Sequence, residues 1–525
     1  MANKNLFKTV RSLNVPSATA VNEAGGAAYT MPAKHALAQY VSTGTFNSTY
    51  YASAEDQLTK VLELVKQVEP EFVAQCAIYA RERGFMKDMP AFLCAFLVSQ
   101  GRNDLAGKVF SRIMDNPKMV RNFVQFLRSG VLGRKSLGTR PKKLVQQWLA
   151  NHSELSLFRG SVGNDPSLAD VIKMVHPKPA TPERDALYRY LLGKEYDVSK
   201  LPAEVQAFEV FKKEPASATL PNVPFEMLTA LPLTDKHWAQ IAKNASWTQT
   251  RMNLNTFQRH NVFSDKAVEK ELAARLANAE LIKKAKVFPY QLLAAYLNSD
   301  PTVPTSLTNA LQDAMEVAVS NIPSFDGKVY VCEDVSGSMH SASVTGHRKG
   351  ATSKVTCLQV AALIAAAVIR RNNEAEVIPF SDHVVNHKLN PRDSVMTNAT
   401  VLSRLPSGGT NCAAPLQHLN QRKAMGNLVI MVSDNQSWCQ YSPSHNFGYA
   451  QATGMAAEWA IYKKRNPQAK LINIDLQPYT TTQVLDDKSV LNIGGFSDQV
   501  FDVVQAFAST NGETHWTDVI AKVEL

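Results

Sequence analysis

Hydrophobic positions change their period once along this chain. From residue 54 to about residue 320 they recur every three or four residues, in stretches punctuated by Gly, Pro and Asn. That pattern predicts amphipathic helices over 54–68, 71–83, 90–100, 104–114, 118–127, 142–150, 167–175, 184–192, 235–244, 252–260, 266–277, 290–298 and 306–320. Almost no strand pattern interrupts them. After a Pro/Gly-bearing linker at 321–327, short continuous apolar runs alternate with helical patterns. Strands are expected at 328–333, 375–380, near Val384, at 428–434, 470–475 and 490–493. Helices are expected at 355–371, from Ala413, over 449–464 and from Ser497.

Alternation of strand and helix with short connections predicts a mostly parallel, doubly wound α/β sheet for residues 323–525. Successive helix pairs in residues 1–322 predict an irregular solenoid of the HEAT or armadillo kind, without a fixed-period sequence repeat; a compact helical bundle is the competing arrangement. The expected fold class is therefore α plus α/β in two domains, as 525 residues exceed a single ordinary core.

Composition narrows the function classes. A hydrophobic fraction of 45% with 19% charged residues is globular. The apolar run Ala361–Ile369 is too short to span a bilayer, and the first residues lack the apolar stretch of a signal peptide, so a cytoplasmic protein is expected. Six scattered Cys with no Cys-x-x-Cys read as reduced thiols. Charge is unevenly placed. Residues 1–323 hold 39 Lys and Arg against 29 Asp and Glu, whereas residues 324–525 hold 17 of each. The whole excess of +10 lies in the helical region, which points to a polyanionic partner there.

Within that region no acidic residue occurs between Asp115 and Glu154, an interval carrying Lys118, Arg121, Arg128, Arg134, Lys135, Arg140, Lys142 and Lys143. The stretch 134–143 reads as a Gly/Pro loop entering a helix, where backbone N–H groups would join the cations in holding phosphates. Arg159, Lys173, His176 and Lys178 form a second candidate group, and Arg251–Leu254 with Arg259 and His260 a third polar-basic helix.

In the α/β region, Asp334-Val335-Ser336-Gly337-Ser338 follows an apolar run, so one carboxylate and two hydroxyls share a tight turn at a strand end. Thr410 in a Gly-Gly-Thr loop and Asp434 after a second apolar run supply further hard oxygen donors. Such a set suits Mg²⁺ or another divalent cation. In order and placement, Asp334, Ser336, Ser338, Thr410 and Asp434 resemble the metal-ion-dependent adhesion site of von Willebrand factor A domains. There is no Gly-x-x-x-x-Gly-Lys-Ser/Thr, His-Glu-x-x-His or Gly-x-Ser-x-Gly, and no second carboxylate cluster for two-metal chemistry, so a binding protein is expected and not an enzyme.

The chain as a whole resembles the Ro autoantigen family, a TROVE-type helical domain followed by a von Willebrand factor A domain. The matching segments are 133–148, 170–179, 251–254, 334–339, 407–416, 432–438 and Gly494-Gly495-Phe496. The resemblance suits a bacterial or phage-borne member. It implies a helical-repeat toroid with a basic central hole, closed by the A domain. Y or Y-like RNA would bind the outer surface, single-stranded 3′ ends of misfolded or unprocessed RNAs would enter the hole, and polynucleotide phosphorylase would be a partner; no DNA or membrane role is implied. Carried over by position, the RNA-binding residues are Arg134, Lys135, Arg140, Lys142, Lys143, Arg159, Lys173, His176 and Lys178. The family's Gly-Arg-x-x-Arg-Lys pattern is interrupted here by Ser136-Leu137-Gly138-Thr139, which leaves open whether Lys135, Arg140 or Lys142 takes the contact position. A competing reading is a metal-dependent protein-interaction scaffold with no direct RNA role.

Overall fold

The computed structural model describes residues 15–43, 53–84, 86–163, 165–216, 218–285, 287, 289–344, 354–439, 452–477, 479–495, 500–509 and 516–525. Eight strands occur among them: β1 (Ala20–Val21), β2 (Ala27–Thr30), β3 (Val329–Asp334), β4 (Glu376–Phe380), β5 (Leu428–Ser433), β6 (Lys470–Asp475), β7 (Thr481–Thr482) and β8 (Val490–Gly494).

Five of them form a wholly parallel sheet in the order β4-β3-β5-β6-β8. Both faces are covered, so its strands are apolar at successive positions instead of alternating. Val329 and Val331 face one core beneath the Cys357–Arg371 helix. Tyr330 and Cys332 face another beneath the Ala414–Gln421 and Gly454–Arg465 helices. Numbered by their order in this sheet, the strands run 2-1-3-4-5. Such a sheet reverses winding direction between its first and third strands, here β3 and β5, and opens a crevice at their carboxyl ends.

The helical region is tied together at a regular interval that no residue pattern announces. Arg81 pairs with Asp115, Asn122 with Asp88 and Trp148 Nε1 with the Met114 carbonyl, each pair 34 residues apart. Arg184 reaches the Leu149 and His152 carbonyls and Glu154; Arg275 reaches the Ala242, Lys243 and Ala245 carbonyls. Ties recurring at separations of 30 to 35 residues are what stacked helix pairs produce, each pair burying its apolar face on the next.

Most helices lie where the pattern places them, within a few residues. The exceptions are informative. The expected 252–260 helix is two, Trp247–Met252 and Leu254–Arg259, broken at Asn253, whose amide donates to the Gln249 carbonyl. The strand near Val384 is a single bridge to Phe380. The helices Ala33–Thr43, Ala203–Lys213 and Val395–Leu402 were absent from the pattern. Positions 449–451, the expected start of one helix, and Phe496 lie outside the described residues.

The first described residues fold against the far end of the chain. β1 and β2 form a hairpin, and β2 pairs with β7 of the α/β region. His35 Nδ1 contacts Asp486 at 2.8 Å. Trp516 Nε1 donates to the Tyr79 hydroxyl at 3.2 Å, and Gln75 donates to the Ala521 carbonyl. At the other end of the helical region, Glu316 pairs with Arg370 and accepts from the Val395 N–H. The chain of contacts thus leaves the α/β domain at one side and returns to it at another, a closed circuit. Trp516→Ala, at a buried seam residue, is expected to cost about 3–5 kcal/mol; hydrogen exchange should then accelerate in Ala33–Thr43 and Pro70–Glu82 before the parallel sheet, which a local seam requires.

Candidate metal centre and nucleic-acid interface

Asp334 is the last residue of β3 and Asp434 follows β5, so the two carboxylates flank the crevice where the winding reverses. Both are fully buried, as is Ser336, and Ser338 and Thr410 are buried beside them. The turn after β3 is internally bonded: Ser336 N–H donates to Asp334 Oδ1 at 2.8 Å, and the Ser336 and Ser338 hydroxyls lie 3.3 Å apart. Ser336 occupies the N-cap position of the short Gly337–Ser341 helix, yet its side chain makes no capping bond. Its hydroxyl is therefore not committed to the helix, as a purely structural serine there would be.

The Thr410 loop is held at the same end of the sheet. Gly337 N–H donates to the Gly408 carbonyl, and Trp438 and Cys439 N–H both donate to the Thr410 carbonyl. Ser433, which the motif does not mark, donates to Asp334 Oδ2 at 2.5 Å. The hairpin supports this loop from outside: Asn22 Nδ2 donates to the Ser437 carbonyl at 2.8 Å. Gly26 lies so close that a Cβ would stand 1.9 Å from the Ser437 oxygen, and only glycine fits there.

Burial, and then the charge of Asp434, push the Asp334 carboxyl up to about 7. Burial also raises Asp434, partly offset by the Ser338 hydroxyl. Asp434 Oδ2 has no hydrogen-bond partner. Two buried carboxyls with an orphaned oxygen and neighbouring hydroxyls match the donor set a hard divalent cation requires.

The basic candidates separate into groups. The Thr139–Asn151 helix begins three residues earlier than its pattern, after Gly138 (φ 75°), with neither a side-chain cap nor an acid in its first turn. Arg140 in its first turn is exposed. Lys143 on this helix, together with His176 and Lys178 after the Leu168–Val175 helix, lines one cleft of about 530 Å³. Gln146 joins them, three residues and one helical turn after Lys143, and its amide donates to the Val175 carbonyl at 2.6 Å. His176 ends its helix in the left-handed conformation (φ 51°), which carries the chain towards Lys178. Arg134 is occupied locally, donating to the Ser136 and Leu137 carbonyls. Lys135 is exposed and Lys142 half-buried. Lys173 lies 4.0 Å from Asp170, and Arg159 donates to the Asn222 carbonyl, so both stand outside the cleft lining.

Residues 328–508 match the family model of the Ro60 vWA domain. The similarity extends well beyond that domain: over 544 aligned positions, 96% of this chain and 99% of the relative, the sequence is 22% identical to the RNA-binding protein RO60 of Deinococcus radiodurans. The α/β domain thus matches the vWA domain of Ro60, and the chain is similar to a Ro protein over nearly its whole length. Its fold is also that of the crystal structure of the Deinococcus radiodurans RO (RSR) protein, with a TM-score of 0.65 at 18% identity, covering 92% of this chain and all of the other.

The buried carboxyl pair sets a pH dependence. Asp334 keeps its proton in the folded state up to about pH 7, whereas an unfolded chain releases it near 3.9. The folded state therefore binds the extra proton, and metal-free stability falls as pH rises through this window. A decline on the order of 3 kcal/mol between pH 4 and 8 in chelator is expected. Asp434→Asn, which removes the second cause and leaves burial in place, should reduce this decline without abolishing it, as read by urea unfolding at each pH; a wild-type slope in that variant would contradict the coupling.

Proposed function

We propose that this chain is a non-catalytic RNA-binding scaffold of noncoding-RNA quality control. Its substrates are Y-like RNA on the outer surface and single-stranded 3′ ends of misfolded RNAs within the ring, delivered to an exoribonuclease such as polynucleotide phosphorylase in the cytoplasm. The observation that carries this reading is the cleft shared by Lys143, His176 and Lys178. Lys143 comes from a stretch free of acids for 38 residues, on a helix whose N-terminus has no side-chain cap, and Glu154, the acid in the cleft lining, is paired with Arg184. A phosphate chain would gain charge-assisted bonds from the lysines and helix-terminal N–H groups, and Gln146 and His176 offer hydrogen bonds to bases. The name of the Deinococcus relative, an RNA-binding protein, agrees.

In the same reading Asp334, Ser336, Ser338, Thr410 and Asp434 hold Mg²⁺. Bound there, the ion would neutralise the buried carboxyls and offer an open position to an oxygen ligand. Trp438, half exposed beside the Thr410 loop, favours a protein as what docks at that position, which retains the interaction-scaffold reading for this domain alone.

Two measurements test the assignment. Lys143→Glu with Lys178→Glu should weaken binding of a labelled single-stranded RNA by on the order of tenfold or more at about 100 mM salt, and lower the slope of log affinity against log salt by about 1.4. Unchanged affinity in that double variant would sink the RNA reading. Separately, Mg²⁺ at a hundredfold its dissociation constant should stabilise the protein by about 2.7 kcal/mol, more at pH 8 than at pH 6. Asp334→Ala should abolish this while leaving RNA affinity within about twofold; a selective loss of RNA binding in the folded variant would move the RNA site to the metal.

A further inference from the structure

Arg121 belongs to the acid-free stretch but to neither centre described above. It lies on the Pro117–Arg128 helix, 8% exposed, and its Nε and Nη1 groups have no hydrogen-bond partner. The arginines that tie the helical region are different. Arg184 donates to two carbonyls and Glu154, and Arg275 to three carbonyls and Glu271. Asp88, on the neighbouring helix, bonds Asn122 and lies 4.0 Å from Lys118. A buried guanidinium without an anion is costly, so the fold alone gives no reason to keep this one.

What covers it is thin. Gly163 lies flat against the guanidinium: a Cβ there would stand 2.6 Å from Nη1 and 2.9 Å from Nη2. Gly163 is itself exposed, with φ +104°, so the fork lies one backbone layer beneath solvent. Seven residues on, and so on the same helix face about 10 Å away, exposed Arg128 reaches Met174 Sδ at 2.9 Å. Met174 is two residues from His176 of the cleft. Cleft, Arg128 and Arg121 therefore follow one line along the packed Pro117–Arg128 and Leu168–Val175 helices.

We propose that Arg121 is a phosphate anchor: its guanidinium donates to a backbone phosphate of RNA that leaves the Lys143–His176–Lys178 cleft and runs past Arg128 along the Pro117–Arg128 helix. The proposal rests on the RNA-binding reading and extends its footprint to a residue buried without an anion of the protein's own. Gly163 is then the cover that must shift by a fraction of its width, which a side chain at that position would prevent.

The test uses the full-length protein with Arg121→Met, which keeps the stem's packing and removes the charge. Expected are an unfolding midpoint equal to or above wild type, affinity for a labelled single-stranded RNA reduced by roughly tenfold at about 100 mM salt, and a salt slope lowered by about 0.7. Arg121→Lys should recover part of the affinity. Inorganic phosphate alone should raise the wild-type midpoint and not that of Arg121→Met. Wild-type RNA affinity and slope in Arg121→Met overturn the proposal, whatever its stability, because the slope is read on folded protein. Phosphate stabilisation that depends on Arg121 without any change in RNA slope also overturns it, leaving a site for free anions. If Lys143→Glu with Lys178→Glu weakens RNA and Arg121→Met does not, only this proposal fails; if neither does, the RNA reading itself has failed.

Discussion

Two carboxylates buried side by side are the constraint around which the α/β domain is arranged. Asp334 and Asp434 stand at adjacent strand ends, out of water, with no Lys or Arg bonded to either among the described residues. Like charges so placed cannot both ionise cheaply, and the Asp334 carboxyl holds its proton to near neutrality. The neighbourhood answers with hydroxyls and main-chain N–H groups from Ser336, Ser338, Ser433 and Gln436. The turn after β3 is closed on itself by the Ser336 N–H and the Ser336 and Ser338 hydroxyls.

That strand-end arrangement reaches outward through the 434–439 loop to the hairpin at the beginning of the chain. The same hairpin, with His35, Tyr79 and Gln75, closes the helical region on the α/β domain. The oxygen donors and this seam between the two regions therefore share a support. The basic surface lies elsewhere, on the Pro117–Arg128, Thr139–Asn151 and Leu168–Val175 helices, in keeping with the charge division between an excess of +10 and an even balance. One chain thus separates a neutral, carboxylate-lined centre from a cationic one.

Much of this was legible beforehand, for identifiable reasons. A parallel sheet buried on both faces leaves near-continuous apolar runs, so β3, β5, β6 and β8 announced themselves, and the motif residues sit at strand ends because the turn that ends a strand is where short polar side chains are tolerated. The two-residue β1 was too short to show a period, and the four-residue β2 is stabilised by β7, some 450 positions away. The break at Asn253 escaped notice because the apolar period runs on through Leu254 and Phe257. Ser433 and Gln146 carry no motif; each matters through a partner brought to it by folding.

The amino-acid order by itself determined most of the helices, the parallel sheet, the set of oxygen donors and the location of the charge, since these depend on local period and on residue type. Tertiary structure decided which cations share a cleft and which are spent. Lys143, His176 and Lys178 meet across two helices. Arg134 is absorbed by its own loop, and Arg121 is left buried without an anion. A run of basic residues specifies charge, but whether each guanidinium finds a carbonyl, a carboxylate or nothing depends on distances of a few ångströms between elements remote in sequence, which packing alone sets.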